Sequence, residues 1–201
     1  MPKRSIIITG LDAAGSSTLL HNHLRQPGAE VAVTIPMIGL NVSSCQYKHN
    51  GTEFSLVSWC SFEYFRGERP FRVYRESYMK DAIALIFVVD SNDRKRIENG
   101  KVHGALEHTL RCYFGTQGDD RAAQLDAFLA DHPHLRNLPV LVFANKQDLP
   151  NAMPDKEVAE RLKLELLCGD RPWTFQGCCA REGGDGEVQR GMEWLMAAID
   201  A

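Results

Sequence analysis

The amino-acid sequence predicts an α/β domain built on a mainly parallel sheet, and three observations carry that expectation. Short apolar runs rich in β-branched residues alternate with stretches whose apolar residues recur at helical spacing, as in a sheet covered by crossover helices. The runs at residues 82–89 and Val140–Asn145 are continuously apolar, which is how strands buried on both faces read. The first run ends in a glycine-spaced loop that opens a helix.

In chain order, residues 5–9 (Ser-Ile-Ile-Ile-Thr) form a strand that stops at Gly10. Residues 16–25 read as a helix through Leu19, Leu20 and Leu24, broken by Pro27-Gly28. Strands Asn41–His49 and Thr52–Cys60 flank Asn50-Gly51, the strongest short hairpin signal in the chain. Ala82–Asp90, Val140–Asn145 and Trp173–Gly177 are further strands, and residues 187–199 close the chain as an amphipathic helix. The connection at residues 97–138 is far longer than an ordinary loop. Val102, Leu106, Leu110 and Phe114 recur every four residues and make its first part a helix, while Leu125, Phe128 and Leu129 predict a second, short one. The expectation is a single domain over residues 1–201 with an inserted helical segment around 100–130.

A chain of 201 residues can bury a full core without disulfide or metal staples. With 23 Lys and Arg against 26 Asp and Glu, the net charge of −3 excludes a function resting on a strongly basic nucleic-acid surface. The 6 cysteines form no C-x-x-C pair and read as reduced thiols of a cytoplasmic protein. His21/His23 and His132/His134 lack the companion ligands of a metal site. Residues 82–89 fall well short of a spanning helix, which needs about 20 residues. Pro2 after Met1 denies a myristoylation signal, and the apolar run from Ile6 leaves no room for a leader or anchor helix, so no direct membrane anchor is expected.

Two motifs carry chemistry. Gly10-Leu-Asp-Ala-Ala-Gly15-Ser16-Ser17 has the glycine spacing of a phosphate-binding loop, with Ser16 where that pattern has Lys. Its backbone, through Gly10, Asp12, Ala13, Ala14, Gly15, Ser16, Ser17 and Thr18, is the candidate phosphate contact. Asn145-Lys146-Gln147-Asp148 follows a strand at the carboxyl edge, where such sheets bind ligands. The Asp148 carboxylate can accept both N1–H and N2–H of guanine, a pair that adenine cannot offer. Asn145 would bond the other edge of the base, and the Lys146 stem would lie along its face.

With these motifs, residues 35–42 (I-P-M-I-G-L-N-V), 85–94 (L-I-F-V-V-D-S-N-D-R) and 142–153 (V-F-A-N-K-Q-D-L-P-N-A-M) resemble the ADP-ribosylation-factor (Arf/Arl) family of small GTPases. G-D-G followed by G-M-E-W-L near the C-terminus resembles it too. The resemblance implies a P-loop small-GTPase fold with about six strands in a mostly parallel sheet, helices on both faces, and GTP or GDP as ligand. It implies that Cys179 and Ala180 stand in the third guanine-contact loop, with Ala180 N–H near the base oxygen, and that Ser17 takes the Mg²⁺ position.

The departures from the family pattern gather at one end of the nucleotide. The phosphate-loop Lys is Ser16, and the switch-one Thr aligns with Met37. The family's W-D-V-G-G-Q has two alignments: Trp59-Cys60 replaces Trp-Asp, or Tyr64…Gly67-Glu68 replaces Asp-x-x-Gly-Gln, making Gly67 a phosphate contact. In both the Mg-linked Asp is gone. Losing a charge opposite a phosphate costs about 2–5 kcal/mol, roughly thirty- to several-thousand-fold in affinity. Phosphoryl transfer depends on positioning and charge, so the combined loss should abolish useful turnover and leave Mg²⁺ bound weakly or not at all.

The expected function is therefore guanine-nucleotide binding with impaired or absent hydrolysis, acting through protein effectors or regulators that meet residues 35–79. The resemblance implies trafficking-type regulation by a cytoplasmic monomer, brought to membranes only through a partner. Two alternatives stay open: a nucleotide-free scaffold, and an active GTPase in which Arg66, Arg69 or Arg72 replaces the lost cations. The aromatics Phe62, Tyr64, Phe65, Phe71, Tyr74 and Tyr78 are either packing or a partner-binding patch.

Overall fold

The computed structural model describes residues 4–25, 32–34, 41–60, 80–114, 133–181 and 185–201. Seven strands form one sheet in the order β2-β3-β4-β1-β5-β6-β7. They are β1 (Ser5–Gly10), β2 (Ala32–Thr34), β3 (Asn41–His49), β4 (Thr52–Cys60), β5 (Ala82–Asp90), β6 (Val140–Asn145) and β7 (Trp173–Gly177). β2, β3 and β4 pair antiparallel, and every pairing from β4 to β7 is parallel. The sequence pattern marks all but β2, whose three residues carry too little periodicity to stand out. Asn50 and Gly51 make the β3–β4 turn with φ of 47° and 79°, the left-handed pair a two-residue hairpin uses.

Central strands β1 and β6 are buried at every residue, because helices cover both faces. On one face Ile7, Leu85, Phe87, Val140 and Val142 pack against α2 (Arg94–Glu98), α3 (Lys101–Phe114), α4 (Asp155–Leu162) and α5 (Leu164–Cys168). The four-residue spacing of Val102, Leu106 and Leu110 puts all three on the buried side of α3. On the other face Ile6, Ile8, Ile86, Leu141 and Phe143 meet Leu19, Leu20 and Leu24 together with Val188, Met192 and Leu195 of α6 (Asp185–Asp200).

The expected helix at 16–25 is corrected in detail. Only Ser16–Leu19 (α1) is α-helical, and Leu20–Leu24 is a π-turn closed by Arg25 N–H on Leu20 O at 2.9 Å. One extra residue in the turn still brings Leu19, Leu20 and Leu24 into the core, at the expense of regular helical hydrogen bonding. The second short helix expected around Leu125 lies outside the described residues.

Parallel register decides where the loops gather. Gly10 pairs with Val88, Asp90 with Asn145, and Ala144 with Gly177, so β1, β5, β6 and β7 release their loops at one carboxyl edge.

Candidate nucleotide site

The glycine-rich loop leaves β1 at Gly10, where a Cβ would stand 2.3 Å from Val88 O; only a residue without one allows β1 to lie this close to β5. Ala13 at φ 59° and Gly15 at φ 101° turn the chain into α1. A Cβ on Gly15 would fall 2.3 Å from Asn145 Nδ2, so the loop's second glycine is required by contact with the loop after β6. Ser16, in the position of the missing Lys, is buried at 7% exposure and uncharged. Ser17 is half-buried and Thr18 exposed.

Asn145, 1% exposed at the end of β6, ties this loop to another. Its Nδ2 donates to Ala14 O at 2.8 Å, and its Oδ1 accepts from Ala180 N–H at 2.8 Å and from Cys178 Sγ at 3.7 Å. The two groups expected at the edge of a guanine ring are thus bonded to each other. Lys146 sits at φ 67° with Nζ on Asp90 Oδ2 at 2.6 Å, which anchors its stem across the loop. Asp148 is exposed at the rim beside Cys179. Burial holds the Cys179 thiol above its ordinary value; its hydrogen bond to Asp148 and that carboxylate's charge add to this, against the Arg181 N–H and guanidinium.

Several residues that build the site have roles that the sequence motifs do not reveal. Gln147 Nε2 donates to Met153 O at 2.9 Å, Ser91 Oγ at 3.0 Å and Ala144 O at 3.3 Å, fixing the turn that presents Asp148. Arg96 reaches the glycine-rich loop from α2, donating to Asp12 Oδ1 at 2.6 Å and Asp12 O at 3.1 Å. Asp93 steadies it, accepting from Arg96 Nε at 2.5 Å and from Arg96 N–H at 2.9 Å. Burial alone would raise the Asp93 carboxyl, but those two bonds and the guanidinium charge hold it below its ordinary value. Asn22 and His23 grip the Ala180 and Arg181 carbonyls.

The structure therefore brings Gly10, Asp12, Ala13, Ala14, Gly15, Ser16, Asn145, Lys146, Asp148, Cys179 and Ala180 to one edge of the sheet. Met37, Arg66, Gly67, Glu68, Arg69 and Arg72 and the aromatics of residues 61–79 lie outside the described residues. Ser17 offers one hydroxyl, and among the described residues no group of three His, Cys, Asp or Glu could hold a metal ion.

A seven-stranded sheet in this order, with a glycine-rich loop after β1 and an Asn-Lys-Gln-Asp turn after β6, defines a phosphate-loop domain of the small-GTPase fold. A model of the ADP-ribosylation factor family matches residues 2–110 and 118–199, and the chain belongs to that family. Among solved structures it is similar to the Arl6 (BBS3) small GTPase of Trypanosoma brucei, determined with the bound nucleotide analogue GppNp. That match has 24% identity and a TM-score of 0.65 over 98% of each chain. No helix among the described residues is long and apolar enough to cross a membrane.

Proposed function

We propose that this Arf-family chain binds guanine nucleotide through its base-reading loops and a loop backbone without a lysine. It hydrolyses that nucleotide slowly or not at all, and acts by engaging protein partners through residues 35–79, in trafficking-type regulation. One observation carries the reading: Asn145 joins Ala14 to Ala180, with Asp148 at the rim, while Ser16 stands buried and neutral where the phosphate cation belongs. Selectivity for guanine is retained and charge for a terminal phosphate is reduced, an asymmetry that favours binding over phosphoryl transfer. Residues 10–18, Asn145, Lys146, Asp148, Cys179 and Ala180 form the nucleotide contact, Gly67 adds to it, and Ser17 gives Mg²⁺ at most a weak hold. The protein is a cytoplasmic monomer that reaches membranes through a partner.

The test is the nucleotide released on denaturing freshly purified protein, compared with Asp148→Ala. GDP or GTP near one per chain, absent from the variant, is the expected result. A folded protein that releases none, and gains no thermal stability from GTP with or without Mg²⁺, overturns the reading.

A second reading, a nucleotide-free scaffold, is favoured by the bond between Ala180 N–H and Asn145 Oδ1, which satisfies both groups without a base. On that reading Asp148→Ala changes nothing that nucleotide binding would change.

A further inference from the structure

The peptide between Asp12 and Ala13, in the middle of the glycine-rich loop, stands in a strained conformation. Ala14 N–H donates to Leu11 O at 3.1 Å, which closes a four-residue turn with Asp12 and Ala13 at its centre. Ala13 has φ 59° while Asp12 stays out of the positive-φ region, the combination that defines a type II turn. Such a turn favours glycine at its third position, and alanine in the left-handed region is disfavoured roughly five- to thirtyfold in population. Reversing the central peptide to type I would bring the φ of Ala13 to about −90° and remove the strain. Strain of this kind persists only where the surroundings over-determine it.

Here the hold is Arg96 of α2, whose guanidinium donates to Asp12 O at 3.1 Å and to Asp12 Oδ1 at 2.6 Å. Its side chain is fixed before it meets the loop. Asp93 Oδ1 caps α2 by accepting Arg96 N–H at 2.9 Å, and Asp93 Oδ2 accepts from Arg96 Nε at 2.5 Å. A planar guanidinium set in this way loses little further freedom on bonding the loop. In a trans peptide the carbonyl and the following N–H point in opposite directions. Holding Asp12 O toward α2 therefore turns Ala13 N–H away from it. Ala13 is exposed, and among the described residues its N–H has no hydrogen-bond partner, so the donor stands open to an anionic oxygen. Arg96 brings no net positive charge to the loop, because Asp12 and Asp93 both pair with it.

We infer that Arg96 is a positioning residue that sets the direction of the Asp12–Ala13 peptide and so presents Ala13 N–H to a nucleotide phosphate. The inference rests on the nucleotide reading and adds to it a residue outside both sequence motifs. Arg96 acts on the loop's backbone and does not replace the charge of the missing lysine. Without it the turn relaxes toward type I, and the loop that can bind becomes the minor form.

The experiment measures GDP affinity, by displacement of a fluorescent GDP analogue, for wild type, Arg96→Ala, Ala13→Gly and the double variant. Arg96→Ala is expected to weaken GDP about five- to thirtyfold, the bias against a left-handed alanine. Glycine adopts positive φ without a steric penalty, so adding Ala13→Gly should return GDP to within about threefold of wild type. That rescue separates positioning from other roles, since neither a lost phosphate cation nor a loosened fold is repaired by removing one methyl group. Unchanged GDP affinity in Arg96→Ala, or a loss that Ala13→Gly leaves in place, overturns the inference. Urea denaturation of the nucleotide-free proteins checks folding and gives a readout independent of guanine. Ala13→Gly relieves strain in wild type, whereas in Arg96→Ala the reversed turn has already relieved it, so the two substitutions should be non-additive in midpoint. If wild type binds no GDP, the guanine reading falls, and the midpoints alone decide the direction of the peptide, strict additivity overturning it.

Discussion

Replacing Asn145 by Ala in protein stripped of nucleotide removes the acceptor of Ala180 N–H and the donor to Ala14 O, both at 2.8 Å. Both partners are buried, Ala14 at 2% and Ala180 at 4% exposure. A buried polar group left without its partner costs about 1–3 kcal/mol, and water entering from the open strand edge recovers part of that. The expected loss is about 2–4 kcal/mol, a large share of a domain's usual stability of about 5–15 kcal/mol. With a urea slope near 2 kcal/mol/M, the unfolding midpoint should fall by about 1–2 M. Gly15→Ala sharpens the assay. In wild type its Cβ suffers both φ of 101° and an approach of 2.3 Å to Asn145 Nδ2, whereas in the Asn145→Ala background only the backbone cost, about 1–3 kcal/mol, remains. The double-mutant cycle should thus show coupling of about 1 kcal/mol or more. A midpoint shift below about 0.3 M for Asn145→Ala, or strict additivity with Gly15→Ala, would refute the claim that Asn145 joins the two loops.

Two further outcomes are expected. Ser16→Lys should raise GDP affinity at least thirtyfold by isothermal titration, roughly the value of a charge opposite a phosphate, while lowering the stability of the nucleotide-free protein, because Ser16 is 7% exposed and an unpaired buried ammonium is costly. Unchanged GDP affinity would place the phosphates elsewhere. Burial pushes the thiols of Cys45 and Cys168 up to about 11 and that of Cys178 to about 12, opposed at Cys45 by Arg25 and at Cys168 by Arg171, and reinforced at Cys178 by Cys179 and Glu187. A folded pKa above the ordinary 9.0 means the folded state keeps these protons longer, so the stabilisation is complete below pH 9 and is lost as pH rises through about 11 to 12. Urea midpoints should fall across that window, and iodoacetamide at pH 8 should leave all three thiols unmodified in the native protein; labelling there would contradict their burial.

The sheet was largely legible in the sequence because short, β-branched apolar runs such as Ile6-Ile7-Ile8 and Val140–Asn145 read as doubly covered strands. Ala32–Thr34 escaped notice because three residues carry no period, and α2, α4 and α5 because each has eight residues or fewer. Leu19, Leu20 and Leu24 fit an α-helix and a π-turn equally well, since both put all three in the core, so their spacing does not distinguish the two.

Of the candidate site, the sequence by itself determined what is local. Glycine spacing after a strand marks the turn at residues 10–15, and Asn145-Lys146-Gln147-Asp148 marks the proposed base-contacting turn with its carboxylate. Tertiary structure alone decided which groups meet. Asn145 bonds Ala14 across 131 positions, Asn22 bonds Ala180 across 158, and Arg96 clamps Asp12 across 84. These contacts depend on parallel register, which brings the ends of β1, β5, β6 and β7 to one edge, and on the π-turn that re-aims Asn22 and His23. A local pattern fixes the conformation of its own few residues. The partner of a buried amide is fixed only when the whole sheet has packed and every polar group at that edge must find a donor or acceptor within reach.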